Sequence, residues 1–106
     1  MRYYKHLYVA EGLRKKEKII RKLNNNKLQM NIHVITLANN EKNQLEIYHS
    51  MVFLQPNFPH DDLFVVGLAK GYEDAVEMVE EIAQEVYNKT KGADIRSYIL
   101  EREQEE

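Results

Sequence analysis

QLEIYHSMVFLQ, residues 44–55, is the stretch on which the fold turns. Leu45, Ile47, Tyr48, Met51, Val52 and Leu54 fit one broad helical arc. Asn43, with Glu46 three residues on, resembles a capping box that has Asn in place of Ser or Thr. Pro56 would stop such a helix, because the residue before a proline avoids the α region. The rival reading is a strand across Met51–Leu54. The helix is the reading adopted, and it makes the chain an alternation of helices and strands.

On the N-terminal side, Asn39-Asn40 is a turn signal, preceded by NIHVITLA, whose β-branched residues predict a strand over Asn31–Ala38. Further back, Val9, Leu13, Ile19, Ile20 and Leu23 share one helical arc, and Arg14, Lys15, Lys18, Arg21 and Lys22 share the opposite one. That predicts an amphipathic helix over Val9–Leu23, with a basic outer face and a stop at the Asn24-Asn25-Asn26 run. On the C-terminal side, PNFPHDD reads as a loop. LFVVGLA, Leu63–Ala69, is apolar almost throughout and suits a strand covered on both faces. Ala75, Val76, Val79, Ile82, Ala83, Val86 and Tyr87 make a wide stripe in a helix over Glu73–Thr90, with Gly92 as its stop. ADIRSYIL, Ala93–Leu100, reads as an edge strand.

The expected fold is thus a single α/β domain over residues 1–100, in the order α-β-α-β-α-β. A three-stranded, mainly parallel sheet carries helices packed on it, and 101–106 is a charged tail. The length of 106 residues leaves room for one core. Cysteine is absent, which removes disulfides and thiol chemistry and suits a reducing cytoplasm. No apolar run approaches the ~20 residues that cross a bilayer, and the N-terminus lacks the apolar core of a secretory signal. The net charge of −2 hides a split. Residues 1–27 carry nine basic and two acidic groups, and the remainder six basic and fifteen acidic. Such asymmetry bears on partners and association.

The pattern YVAEGLRKKEKIIRKL, then VVGLAKGYEDAVEMVEEIAQEVYNKT, then DIRSYI resembles a group of small, uncharacterised proteins of gut Firmicutes over nearly the whole chain. The resemblance implies a bacterial intracellular α/β protein. It implies no activity, so no catalytic residue follows from it.

Four constellations invite chemistry. GLAKGYED, Gly67–Asp74, passes from strand to helix through two glycines, a geometry that can hold an anion. It lacks the G-x-x-x-x-G-K-[ST] pattern, and Glu73 and Asp74 fill the first helical turn where a phosphate would sit, so it reads as a corner. Glu77, Glu80, Glu81 and Glu85 cluster on one helix face. Carboxylates of this kind can hold hard cations, but without converging ligands they read as a solvated face or a surface for a basic partner. His6, His33, His49 and His60 show no metal-binding spacing, and no G-x-S-x-G elbow accompanies Ser50. Lastly, the five cations of the first helix, with Tyr3, Tyr4, His6 and Tyr8 before it, could follow a phosphate backbone and stack on bases.

No catalytic, cofactor or metal site emerges, and no membrane partner is expected. The favoured expectation is a non-catalytic interaction or regulatory module that self-associates as a homo-oligomer or binds a protein partner, through faces of opposite charge. One alternative is a nucleic-acid accessory protein acting through Arg14, Lys15, Lys18, Arg21 and Lys22. The other is a small ligand binder or enzyme with a pocket at the strand ends, near Asn39, Asn40, Lys70, Gly71 and Tyr72.

Overall fold

Leu45–His49 does not coil; it pairs antiparallel with the strand before it. The computed structural model describes residues 1–40, 42–58 and 61–105; His60 lies outside them. Within these, the order is β1 (Arg2–Val9), α1 (Lys16–Asn24), β2 (Ile32–Leu37), β3 (Leu45–His49), a 3₁₀ turn (Ser50–Leu54), β4 (Phe64–Lys70), α2 (Tyr72–Thr90) and α3 (Ile95–Glu103). The four strands form one sheet in the order β1-β4-β2-β3. Only β1 and β4 run parallel; β2 is antiparallel to both of its neighbours. The expected α-β-α-β-α-β order and three-stranded, mainly parallel sheet are therefore replaced by a mixed, mostly antiparallel sheet of four.

Each departure has a local cause. The Ala38 N–H donates to the Gln44 carbonyl at 3.0 Å, which closes a short connection between β2 and β3. A link this short joins only antiparallel strands, whereas parallel ones need a crossover of a dozen residues or more. Asn43 does not cap a helix: its N–H donates to Asn40 Oδ1 at 2.9 Å, inside the turn. The rival strand at Met51–Leu54 is also absent, because that segment is the 3₁₀ turn. It ends at Gln55, whose extended ψ of 131° is what Pro56 requires.

The N-terminal residues RYYKHLYV form a strand that sequence reasoning missed, and α1 begins only at Lys16. Gly12 and Lys15 have φ of 90° and 60°, in the left-handed region, so the helix has no route back towards Val9. Ile19 and Leu23, one turn apart, bury its inner face, and the Asn run ends it as expected. At the other end, Ala93–Leu100 is no strand. Asp94 caps α3: its Oδ1 accepts from the Ser97 N–H at 3.0 Å, and Ile95 and Ile99 pack inward one turn apart. That bond holds the Asp94 carboxyl below the usual carboxylate range. The helix runs on to Glu103.

The sheet is covered on both faces. Met78, Ile82, Val86, Ile95 and Ile99 from α2 and α3 pack on Tyr4, Ile35, Leu37, Phe64 and Val66. Ile19 and Leu23 of α1, with Phe53 of the 3₁₀ turn, pack on Ile32, Val34, Val65 and Leu68. This burial from both sides is why β4 reads as an unbroken apolar run. Gly67 sits at its centre because α2 comes too close for a side chain. A Cβ there would stand 2.7 Å from Met78 Sδ and 3.3 Å from Ile35 Cδ1. Gly67→Ala is expected to destabilise the fold by about 1–3 kcal/mol, the usual cost of overpacking, as measured by urea denaturation. On a Met78→Ala background the same substitution should cost less than it does in the unaltered chain, because the crowding sulfur is gone.

Candidate functional site: an open sheet edge

The basic residues do not form one helical face. Arg14 and Lys15 precede α1, and only Lys18, Arg21 and Lys22 lie on it. Arg14, Lys15, Lys18 and Arg21 are exposed and Lys22 is half-buried. Among the described residues none of the five is in an ion pair. The tyrosines read as stacking partners are committed elsewhere. Tyr4 is 2% exposed in the core, and Tyr3 donates its hydroxyl to Asn24 Oδ1 at 2.8 Å. Burial pushes the Tyr3 and Tyr4 phenols up to about 12.

Tyr8 belongs to a polar cluster that splits the acidic face. Glu85 Oε2 accepts from the Tyr8 and Tyr98 hydroxyls at 2.7 and 2.8 Å, and from Arg102 at 3.3 Å. Arg102 also donates to the Tyr98 oxygen at 3.0 Å and lies over its ring. Three elements meet on this one carboxylate, so Glu85 is a clasp between β1, α2 and α3. Glu77, Glu80 and Glu81 stay exposed. Glu77 and Glu81, with Glu11 and Asp74, line a groove of about 490 Å³ together with Tyr8, Ala10 and Met78. Among the described residues no group of three potential ligands is placed to hold a metal ion.

The strand-end pocket does not form. Asn39 and Asn40 follow β2 at the end of the sheet where Thr36 meets Val65; Lys70, Gly71 and Tyr72 lie at the other end, where Lys70 pairs with Ile32. Antiparallel pairing of β2 and β4 separates them. What Tyr72 meets instead is a histidine pair that no sequence spacing signals. His33 and His49 are directly opposite on β2 and β3, with ring centroids 4.8 Å apart, and the Tyr72 ring is 6.0 Å from His33. The Met51 N–H donates to His49 Nδ1 at 3.0 Å. His33 Nδ1 is buried without a hydrogen-bond partner. Burial, and secondarily the neighbouring His49, lowers the His33 pKa below its ordinary value.

The remaining feature is the outer edge of β3. Hydrogen-bonded and non-bonded pairs alternate along an antiparallel ladder. Ala38 and Gln44 are bonded, so in this register Thr36–Glu46 and Val34–Tyr48 are bonded too. On the far side of β2 the Gly71 N–H donates to the Asn31 carbonyl at 2.8 Å, which puts Ile35 and His33 in bonded pairs with β4 and fits the same alternation. The N–H and C=O groups of Leu45 and Ile47, and the N–H of His49, therefore point away from the sheet at its edge, and among the described residues no further strand pairs with them. The His49 C=O, at the N-cap of the 3₁₀ turn, accepts the first bond of that turn. The strand carries no proline and no lysine, and Glu46 is its one carboxylate. The other edge, β1, is partly covered. Its register is interrupted between Tyr3 and Tyr8, and Glu103 of α3 accepts from the Lys5 N–H at 2.7 Å.

Comparison with protein-family models, curated proteins and solved structures finds no match for this chain. No helix is long and apolar enough to cross a membrane among the described residues.

His33 gives the fold a pH dependence of known sign. A base whose pKa is lowered on folding favours the neutral form, so its contribution is whole above the unfolded value near ~6.5 and is lost as pH falls through the folded value. The urea midpoint is expected to drop between about pH 7 and pH 5, and His33→Gln to flatten that drop.

Proposed function

We propose that the protein is a small, non-catalytic interaction module that associates through the open edge of β3. The observation that carries this reading is the row of outward backbone groups of Leu45 and Ile47, with the His49 N–H, left uncovered on one side of the sheet, whereas on the other side Glu103 takes up the Lys5 amide. Unpaired edge groups are a template for another strand, and main-chain bonds formed there supply affinity without a deep pocket. The sequence adds no catalytic pattern to set against this. A cysteine-free chain suits a cytoplasmic setting.

This reading moves the self-association expected from the sequence away from the charged faces. Glu85 is tied into the fold, and the five cations are not gathered on one helical face. A nucleic-acid role has only the charge of those cations behind it, since Tyr3, Tyr4 and Tyr8 are bound within the fold. An edge of five residues offers a small interface, of the transient kind.

Sedimentation velocity between about 10 μM and about 1 mM protein should show reversible, concentration-dependent association. Ile47→Lys should weaken it at least tenfold, because a lysine on an edge strand blocks pairing. Glu77→Lys with Glu81→Lys should leave it within about twofold. Association lost with the glutamates and kept in Ile47→Lys would overturn the edge reading in favour of the charged faces.

A further inference from the structure

We infer that the cleft between the end of α1 and the segment after it, Lys27–Met30, is a second docking surface, and that it takes an acidic peptide segment of a partner protein with apolar side chains among its carboxylates. The inference does not rest on the edge of β3. The segment is pinned from within. The Lys27 N–H donates to the Lys22 carbonyl at 2.9 Å, and Asn26, at φ 53°, turns the chain out of the helix. Gln29 is buried: its Nε2 donates to the Ile19 carbonyl at 3.3 Å, and its own carbonyl accepts from the Ser50 hydroxyl at 2.9 Å. The Asn31 carbonyl accepts from the Gly71 N–H at 2.8 Å. With the chain tied at 27, 29 and 31, the residues between are left outside. Leu28 is 57% and Met30 75% exposed, and neither belongs to a core cluster. Met51, next to Ser50, is 49% exposed as well. Polar bonds thus hold large aliphatic side chains in water, where they add nothing to the core.

Beside them, Arg21, Lys22, Asn25, Lys27 and Leu28 line a cleft of about 460 Å³ with a largely apolar wall. Long cationic side chains lay their aliphatic stems along such a wall and keep their charged ends at its rim. Among the described residues none of Arg21, Lys22 and Lys27 is in an ion pair. Arg21 and Lys22, in the last turn of α1, also offset the negative end of that helix. That role accounts for two of the cations. It does not account for Lys27, which lies beyond the helix, or for the exposed Leu28.

Charge complementarity selects the occupant. An apolar wall under an unpaired cationic rim matches a segment that brings carboxylates and apolar side chains together. Nucleic acid would use the rim and leave the wall idle, and base stacking needs a free aromatic ring, which the cleft lacks. A bilayer surface is gripped by protruding side chains, with aromatics at the headgroup level, whereas Leu28 lines a concavity. Methionine, which adapts to irregular surfaces, stands next to the cleft at Met30 and suits a partner whose apolar residues vary.

A phage library of short random peptides selected on the immobilised full chain tests this, with binding of the recovered peptides measured by fluorescence polarisation. The pool should be enriched in peptides that combine Asp or Glu with Leu, Ile, Phe or Met. Leu28→Ser with Met30→Ser should weaken their binding at least tenfold, and so should Arg21→Gln with Lys27→Gln. Ile47→Lys, at the other surface, should change it by no more than about twofold. Binding should also weaken as NaCl is raised from about 50 mM to about 500 mM. All four substituted positions outside β3 lie on the surface or its rim, and circular dichroism checks that each variant folds. If one pair of substitutions disturbs the fold, the other still decides. No enrichment, a pool without acidic excess, or binding that both pairs of substitutions leave unchanged would overturn the proposal. So would tighter binding, lost in the same variants, to phosphatidylserine vesicles or to DNA than to any recovered peptide. Peptides released only by Ile47→Lys would overturn it while leaving the β3 edge reading intact.

Discussion

Both backbone sides of β2 are taken in the antiparallel sense, and the architecture follows from that. The short connection from Ala38 to Gln44 turns β3 back against it, and the Asn31–Gly71 bond locks β4 along its other side. With β2 fixed, the direction of each hydrogen-bonding group on β3 is decided by alternation alone. Glu46 and Tyr48 face inward; Leu45, Ile47 and the His49 N–H face out. The same pairing throws Lys70–Tyr72 and Asn39–Asn40 to opposite ends of the sheet, so the ligand cleft that a parallel arrangement would open at its strand ends has no place here.

The helices finish what the sheet begins, and unequally. α2 and α3 cover one face and α1 with the 3₁₀ turn the other. α3 also reaches β1, where Glu103 occupies the Lys5 amide, and the Glu85 clasp ties β1, α2 and α3 together. On the β1 edge one outward amide is thus taken up by the chain itself. Nothing comparable reaches β3 among the described residues, and that asymmetry is the source of the functional reading.

Much of the centre was legible in the sequence. Strands at NIHVITLA and LFVVGLA and the helix of 73–90 follow from β-branched runs and a clear apolar stripe, and they lie within a residue or so of the observed elements. The misses share a cause: short segments in which two periods compete. In Leu45–Leu54 a five-residue strand runs directly into a 3₁₀ turn, and the two together mimic one helical arc. Tyr48, which belongs to the opposite face from Ile47, looked contiguous with it; in the fold it packs on Phe53 and Phe58 instead. In RYYKHLYV the tyrosines suggest stacking chemistry and so mask a run of strand-forming residues. Asp94, with Ser97 three residues on, was a visible helix start that the apolar residues after it obscured. The site itself was beyond sequence reasoning, because which amides face outward depends on the register with β2, a relation between residues distant along the chain.

Amide hydrogen exchange by NMR across residues 44–49 tests the central alternation most directly. At about 50 μM protein the Glu46 and Tyr48 amides should be protected and those of Leu45, Ile47 and His49 should exchange freely, with protection of these three rising as concentration is raised towards about 1 mM. Uniform protection along the segment at all concentrations, or protection in the opposite phase, would contradict the account.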